Sequence, residues 1–318
     1  MVGILLDHTE LYYAGRNIVP YELYVGTALC VFFFLSGYLL FKPQPLGRDY
    51  FAHRLRAILR TLVVPYFLFT LLLCLPKSLV HGVSLADGLL AVVAGRASWF
   101  VAALIVAELL FLGLLRVARG RAWAVVGGGV LAAVGCAVCV AGFPEGSAGL
   151  PWQLPNALMA VPLLGAGWIY HRFETAVDGF LRPWRVAVLL LLFVAVKVCA
   201  LRMGAQLCVF PIIMSHPALF LADVAVAVPL LAAMAKRLPR LRLLGWVGSH
   251  SLAYYFFCGA APLLVSRLLA RCGVPFVGGY GRVLLAFALV CVVATVAVWA
   301  VYAWFPFAVG RRREGARG

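Results

Sequence analysis

Long uncharged apolar runs are the feature that most constrains how this chain can fold. Of its 318 residues, 65% are hydrophobic and 12% are charged. Apolar runs of about 16 to 25 residues recur along the chain, and each is long enough to cross a hydrocarbon core of about 30 Å as a helix. A helix also satisfies its own backbone hydrogen bonds away from water. The sequence therefore predicts an all-α, polytopic membrane helical bundle without a sizeable soluble domain.

Hydropathy and the positions of proline and charged residues divide the chain into about ten predicted spans. They cover residues 2–13, 24–41, 61–75, 97–115, 122–143, 154–170, 186–201, 217–235, 243–264 and 283–309. The first span is the exception, because about twelve helical residues reach only about 18 Å. Asp7, His8 and Glu10 also interrupt it. Either the chain lacks its true beginning or the first helix enters the membrane only part way, and we favour a misplaced start or a truncation. We therefore expect a short or truncated first span within one transmembrane domain over residues 1–318.

The basic residues are distributed unevenly between the two sets of loops. The formal net charge is +16. Nineteen Lys and Arg residues follow the even-numbered spans or lie in the tail, against seven in the opposite loops. Cytoplasmic loops of membrane proteins carry an excess of Lys and Arg. The pattern predicts a multi-pass protein of the inner (cytoplasmic) membrane with both termini in the cytoplasm, and it argues against nucleic-acid binding.

Nothing in the sequence indicates a metal site. The nine cysteines fall mostly inside apolar runs, where Cys behaves as a small hydrophobic residue. Cys136 and Cys139 form a C-x-x-C pair, but no second ligand pair accompanies them. We predict no metal and no redox role.

The segment between the second and third spans is a basic cluster with two interpretations. Arg56 and Arg60 are four residues apart and share a helix face, whereas Arg54 points away from Arg56. Guanidinium groups bind phosphate in a bidentate manner, which favours a phosphate-bearing ligand. The same residues can serve as a topology signal or contact lipid headgroups. The residues alone leave both interpretations open.

Ionisable residues inside spans are costly, so His8 and Glu108 are candidate catalytic residues. His8 is a candidate general base, because imidazole titrates near neutral pH; the alternative is an interfacial histidine. Glu108 either lines a reaction cavity or pairs with Lys197 or with an arginine of a neighbouring span. Trp99 lies nine residues before Glu108, about 180° away on a helix, so the two should not line one pocket.

Two further helix faces carry polar residues. His216 and Asp223 are seven residues apart, within about 20° on one face, and they either face a cavity or form helix-packing hydrogen bonds. Ser251, Tyr255 and Cys258 also share a face, for which aromatic packing is the alternative explanation. No G-x-S-x-G elbow surrounds Ser251, so a serine hydrolase is not indicated.

Several segments, taken in order, resemble a known family. They are His8 at the end of the first apolar run, FFFLSGYLLF at 32–41, an Arg-rich loop leading to VVPYF at 63–67, SWFVAALIVAELL at 98–110 and WVGSHSLAYYF at 246–256. Their order and spacing resemble the bacterial integral-membrane O-acyltransferases of the acyltransferase-3 family. The resemblance extends over nearly the whole chain, and the family has about ten spans.

The resemblance implies an acyltransferase that uses acyl-CoA as co-substrate and has no bound cofactor. The acyl group, usually acetyl, moves from cytoplasmic acyl-CoA to a hydroxyl of a cell-surface or lipid-linked carbohydrate. The expected partners are acyl-CoA, the carbohydrate or lipid-linked glycan acceptor, and membrane lipids. The essential histidine of the family corresponds to His8, and its loop arginines correspond to the Arg54, Arg56 and Arg60 group.

The matching segments also supply the predicted substrate-binding residues, which are Ser36, Tyr38, Trp99, Ser251 and Tyr255. The sequence departs from the family pattern at three places. The arginine usually found about ten residues before the histidine is missing, the loop arginines are spaced as R-x-R-x-x-x-R, and Cys258 replaces a frequent histidine. A transporter or flippase of a lipid-linked sugar and an inactive, truncated family member therefore remain as alternatives.

Overall fold

The structure is a computed structural model that describes residues 1–43, 46–82, 84–143, 150–239 and 241–311, with only the backbone of residues 76–81. The chain is 80% helical, which confirms the all-α prediction. Over the described residues its sheet is one hairpin, β1 (Leu207–Cys208) and β2 (Ile213–Met214). Four residues of the charge count, Arg240, Arg312, Arg313 and Arg317, lie outside the described residues.

The helices follow the apolar runs of the sequence. In chain order they are α1 (Val2–Thr9), α2 (Tyr21–Leu40), α3 (Arg48–Ile58), α4 (Val64–His81), α5 (Leu85–Val93), α6 (Trp99–Ala118), α7 (Ala122–Gly142), α8 (Leu154–Arg172), α9 (Glu174–Phe180), α10 (Pro183–Arg202), α11 (Pro217–Arg237), α12 (Arg242–Ser249), α13 (Ser251–Phe257), α14 (Ala260–Arg271) and α15 (Tyr280–Trp304). A π-helical turn, Glu10–Ala14, extends α1, and another, Leu59–Val63, joins α3 to α4. Short 3-10 turns, Pro151–Gln153 and Pro306–Val309, precede α8 and follow α15.

Seven of the described helices are long and apolar enough to cross a membrane. They are α2, the continuous helix Arg48–Leu75 formed by α3 and α4, α6, α7, α10, α11 and α15, and the bent pair α13 and α14 would make an eighth. The count of ten spans is therefore not confirmed. The differences are α1, which is too short, α8, which is outside the apolar set, and the predicted span 243–264, which is broken.

The break in the predicted span 243–264 has a local cause. Helices α13 and α14 are bent by 46° around Cys258 and Gly259. Pro262 has no N–H, so it cannot donate to the Cys258 carbonyl four residues earlier. The helix stops at Phe257 and restarts at Ala260 for that reason. The span predicted for residues 243–264 is therefore not one continuous helix, and it is represented at most by the bent pair α13 and α14.

The chain divides into two compact units. The terminal unit consists of Met1–Ala28 and Leu238–Gly318, and the central unit is Leu29–Arg237. In the terminal unit, α1 and its π-turn pack on α15, where Tyr13, Val283 and Ala286 form a buried cluster.

In the central unit, α2 and α8 approach so closely that only glycine fits at two positions. A Cβ atom added to Gly37 would lie 1.9 Å from the Leu164 carbonyl oxygen, and one on Gly167 would lie 1.9 Å from that of Phe34. Small residues at such crossings let membrane helices pack backbone to backbone. This crossing fixes the end of α2 that carries Ser36 and Tyr38.

A buried ion pair joins α10 and α11 in the same unit. Lys197 Nζ donates to Asp223 Oδ2 at 2.8 Å, and both side chains are buried. Asp223 therefore takes part in helix packing, which was one of its two predicted roles. Lys197 thus ties α10 to α11.

Candidate functional site

The central unit contains a basic cavity of about 860 Å³ where the C-terminal ends of α2, α6 and α8 meet the start of α3. Five cations line it: Lys42, Arg48, Arg116, Arg119 and Arg172. The other lining residues are Phe41, Pro43, Leu46, Gly47, Phe51, Leu115, Gly120 and Trp168. None of these described lining residues is acidic, so the basic cavity has the charge for an anionic ligand.

Aromatic rings support the arginines of the basic cavity. The Arg116 guanidinium lies over the Phe51 ring at 5.9 Å, and that of Arg172 lies over Trp168 at 5.5 Å. Phe41 packs edge-on against Trp168, with ring centroids 5.5 Å apart. Arginine over an aromatic face is a favourable cation–π arrangement. These rings orient the guanidinium groups and add apolar surface beside them.

The helix ends explain why the cations gather here. Arg116 and Arg119 lie in the last turn and at the C-cap of α6, and Arg172 is the last residue of α8. Positive side chains are favoured at helix C-termini, where carbonyl groups lack intrahelical partners. Arg119 takes the left-handed conformation, with φ 49°, and Arg172 donates to the Gly120 carbonyl oxygen. These contacts tie the turn after α6 to α8.

Three polar side chains meet deeper in the central unit, and we call Ser36, Arg54 and Glu108 the polar trio. The Ser36 hydroxyl donates to the Glu108 carboxylate. The charge of Arg54 acts on Glu108, while Arg54 Nη2 donates to the Leu39 carbonyl oxygen at 2.6 Å. Arg54 Nε is buried and has no hydrogen-bond partner among the described residues. Glu108 thus accepts a hydrogen bond from a serine and lies within electrostatic range of an arginine.

Helical spacing places the polar trio inward from the basic cavity. Glu108 lies seven residues before Leu115 on α6, which is the same face and about 10 Å along the axis. Arg54 lies one turn after Phe51 on α3, and Ser36 lies five residues before Phe41, the lining residue that directly follows α2. Three elements of the cavity wall therefore also carry the trio, one to two turns deeper.

The three predicted loop arginines separate in the structure. Arg54 belongs to the polar trio, whereas Arg56 and Arg60 are exposed and lie outside the cavity lining. Arg60 falls in the π-turn that joins α3 to α4. From the predicted basic segment it is Lys42 and Arg48 that reach the cavity.

Tyr38 is held by a charged cluster beside the cavity. Its hydroxyl donates to both carboxylate oxygens of Glu174 at 3.0 Å, and its ring stacks on His171 with centroids 4.1 Å apart. Lys236 Nζ donates to Glu174 Oε1 at 2.5 Å. That hydrogen bond is the main reason that the pKa of Glu174 is lowered. Tyr38 therefore anchors α9 to the end of α2.

Trp99 lies at the other end of α6 from the cavity arginines. Its ring stacks on Phe210 of the turn between β1 and β2, with centroids 4.6 Å apart and planes 3° from parallel. Glu108, on the same helix, contacts Ser36. Trp99 and Glu108 therefore have different neighbours, as their spacing predicts.

His8 lies in the terminal unit, near the end of α1. It is half-buried, and its Nδ1 atom is buried without a hydrogen-bond partner in the described part of the chain. The flanking carboxylates have partners: Asp7 accepts from Asn17, and Glu10 accepts from the backbone N–H of Ile18 at 2.6 Å and of Val19 at 2.9 Å. Asp7 and Glu10 are thus engaged by donors, whereas His8 keeps a nitrogen with no hydrogen-bond partner among the described residues.

Glu10 also ties the loop after α1 to α15. Its Oε1 atom accepts a hydrogen bond from the Tyr280 hydroxyl at 2.7 Å. The carboxylates that interrupt the first apolar run are therefore structural, and they fix the helix end that carries His8.

Ser251 and Tyr255 lie on α13, also in the terminal unit. Tyr255 packs on Phe256, with ring centroids 5.9 Å apart, and both Ser251 and Tyr255 are half-buried. Next to them, the buried Tyr254 hydroxyl pairs with Thr295 at 2.7 Å and holds α13 against α15. The helix ends just beyond Tyr255, with Cys258 at its C-cap.

A family model described as an acyltransferase domain matches residues 1–307. The chain belongs to the acyltransferase-3 family. With its several apolar helices, this acyltransferase-3 chain is an integral membrane protein. No curated protein and no solved structure matches it significantly.

Sequence reasoning missed most of the cavity cations in this acyltransferase-3 protein. Arg116, Arg119 and Arg172 were predicted only as topology signals, because each lies in a different loop. The three arginines have one sequence feature in common: each lies at the C-terminal end of a helix, and these ends fall on the predicted cytoplasmic side. That they converge on one cavity depends on how α6 and α8 pack, which loop composition does not show.

Proposed function

We propose that this protein is a membrane O-acyltransferase that transfers an acyl group, typically acetyl, from acyl-CoA to a hydroxyl of a cell-surface or lipid-linked carbohydrate. The observation that carries the proposal is the basic cavity. Coenzyme A has a pyrophosphate and a ribose phosphate next to an adenine ring. Five cations suit the phosphates, and Phe41, Phe51 and Trp168 offer rings for the adenine.

The charge distribution supports a cytoplasmic opening of this cavity. All five lining cations belong to the loops that the positive-inside rule assigns to the cytoplasm. A topology signal requires positive charge on one side only. It does not require cations from α3, α6 and α8 to surround one cavity with no acidic residue in its described lining. Acyl-CoA is a cytoplasmic metabolite whose negatively charged phosphates complement these cations.

The proposed chemistry assigns roles to residues of each unit. In the central unit, the cations hold the phosphates, and the acyl-bearing arm extends past Leu115 toward the polar trio. In the terminal unit, His8 is the proposed general base that takes the proton of the acceptor hydroxyl during acyl transfer. The unpartnered Nδ1 atom of His8 supports this assignment.

Binding of CoA to cavity variants tests the proposal. We expect Arg116→Gln and Arg119→Gln in the full chain each to raise the Kd for CoA by about 5-fold, because an exposed charge pair contributes about 1 kcal/mol. The double variant should lose more, and CoA lacking its ribose phosphate should bind the unmodified protein more weakly. Titration calorimetry of the protein in lipid nanodiscs measures both effects.

Arg182→Gln is the matched control, because Arg182 is exposed and outside the cavity lining. Its Kd should equal that of the unmodified protein. Equal effects of all three substitutions would indicate nonspecific charge attraction and contradict the cavity assignment. Movement of a lipid-linked sugar without binding of acyl-CoA would instead support the alternative of a flippase.

A further inference from the structure

The polar trio has the arrangement of an activated nucleophile, which the proposed function does not use. Ser36 donates its hydroxyl hydrogen to Glu108, the carboxylate expected of a general base. Both side chains are half-buried. A nucleophile hydrogen-bonded to its base, with a third group nearby, is the pattern of covalent catalysis.

Arg54 supplies the third element of that pattern. Its guanidinium acts on Glu108, and its Nη2 atom is committed to the Leu39 carbonyl oxygen. Its Nε–H is a buried donor without a partner among the described residues. Leaving a buried donor unpaired is costly, and this donor is charged. An oxyanion formed beside Ser36 would give it a partner.

The position of the trio fits an acyl group delivered from the basic cavity. Glu108 lies about 10 Å along α6 from Leu115, which lines the cavity, and about 16 Å from Arg119 at its rim. The reactive thioester of acyl-CoA lies at the far end of a flexible arm from the phosphates. Phosphates held at the rim leave that end free to reach one to three turns deeper along α6.

We propose that Ser36 is a nucleophile that carries the acyl group as an ester between acyl-CoA and the acceptor. This inference rests on the proposed function, because it requires acyl-CoA in the basic cavity. In the first step, Ser36 Oγ attacks the thioester carbonyl carbon and its proton passes to Glu108. Arg54 stabilises the tetrahedral oxyanion. The C–S bond then breaks, and CoA leaves as the thiolate and takes a proton from water.

The second step returns the enzyme to its starting state. The acceptor hydroxyl attacks the carbonyl carbon of the Ser36 ester and loses its proton to a general base, which releases that proton to water and so replaces the one that CoA took. The bond between Ser36 Oγ and the acyl carbon breaks, and Glu108 returns its proton to Oγ. The products are the acylated acceptor and free CoA, so atoms and protons balance over the two steps.

Trapping the acyl-enzyme tests the proposal. Full-length protein in nanodiscs is incubated with radiolabelled acetyl-CoA and no acceptor, so that an ester on Ser36 accumulates. Neutral hydroxylamine first removes thioesters from the free cysteines. We expect the remaining label to be released by alkaline hydroxylamine and to map by mass spectrometry to Ser36.

Three variants sharpen the result. Ser36→Ala should lose the label while still binding CoA, and Glu108→Gln should acquire it about 100-fold more slowly, as for loss of a general base. Ser36→Cys should carry instead a thioester that mass spectrometry maps to position 36 before hydroxylamine is added and that neutral hydroxylamine then removes, which keeps the test decisive where Ser36→Ala fails to fold. Thr70→Val is the control, since it removes another hydroxyl of the central unit, one bonded to the Tyr66 carbonyl oxygen at 2.6 Å.

The outcomes separate this inference from the proposed function. Acetyl-CoA binding without any ester on Ser36, or transfer by Ser36→Ala at the unmodified rate, would overturn the covalent step and leave the acyltransferase proposal standing. Absence of acetyl-CoA binding in the unmodified protein would overturn both.

Discussion

At the scale of single residues, the ionisable groups differ in whether they have a hydrogen-bond or ion-pair partner. Lys197 and Asp223 neutralise each other, and Asp7 and Glu10 are engaged by neighbouring donors. A charged group inside a membrane protein is tolerated when it is paired in this way. His8 keeps a ring nitrogen with no described partner, which favours chemistry over packing as its role.

Replacement of His8 tests its role as the general base. His8→Ala should lower acyl transfer about 100- to 10,000-fold, because a positioned base contributes about that factor. Binding of CoA in the central unit should be unchanged. The measurement is transfer of label from acetyl-CoA to the carbohydrate fraction of membranes that contain the variant.

His53→Ala is the control for His8, because His53 is an exposed histidine outside the cavity lining. It should retain full transfer. Transfer by His8→Ala at the rate of the His53 variant would remove His8 from the mechanism.

At the scale of helices, backbone geometry decides what the apolar pattern leaves open. The π-turn Leu59–Val63 lets α3 and α4 form one continuous helix, in which the charge of Arg54 acts on Glu108 and Arg56 is exposed. Sequence spacing did predict that Arg54 and Arg56 point apart. Spacing within one helix could not show which of the two faces a neighbour, because that depends on packing between helices.

The crossing of α2 and α8 is the packing feature most sensitive to substitution. Gly37→Ala places a Cβ atom 1.9 Å from the Leu164 carbonyl oxygen, so the two helices must separate. Overpacking of this kind typically costs about 1–3 kcal/mol, which corresponds to a fall of several degrees in the unfolding midpoint. Thermal unfolding in detergent, followed by circular dichroism, measures the shift.

Gly113→Ala on α6 is the matched control for Gly37→Ala. A Cβ atom there has no neighbour within 4 Å, and alanine is the better helix former. Its midpoint should be equal to that of the unmodified protein or slightly higher. Equal midpoints for the two variants would contradict the close crossing.

At the scale of the whole molecule, composition was enough to predict an all-α membrane protein, and ordered segments were enough to predict its family. Both were confirmed. The number of spans was not, because α1 is short and Pro262 breaks the helix near Gly259. The cavity could not be predicted either, since Arg48, Arg116 and Arg172 are far apart in sequence and meet only through helix packing.

Photo-crosslinking tests the central claim, that the basic cavity holds CoA, most directly. Full-length protein in membranes is irradiated with a CoA analogue that carries a photoreactive group on its adenine, and the modified peptides are identified. We predict crosslinks within residues 41–51, 115–120 and 168–172, all removed by excess unlabelled CoA. Crosslinks confined to the exposed Arg56–Arg60 surface or to the terminal unit, or crosslinks that CoA does not remove, would contradict it.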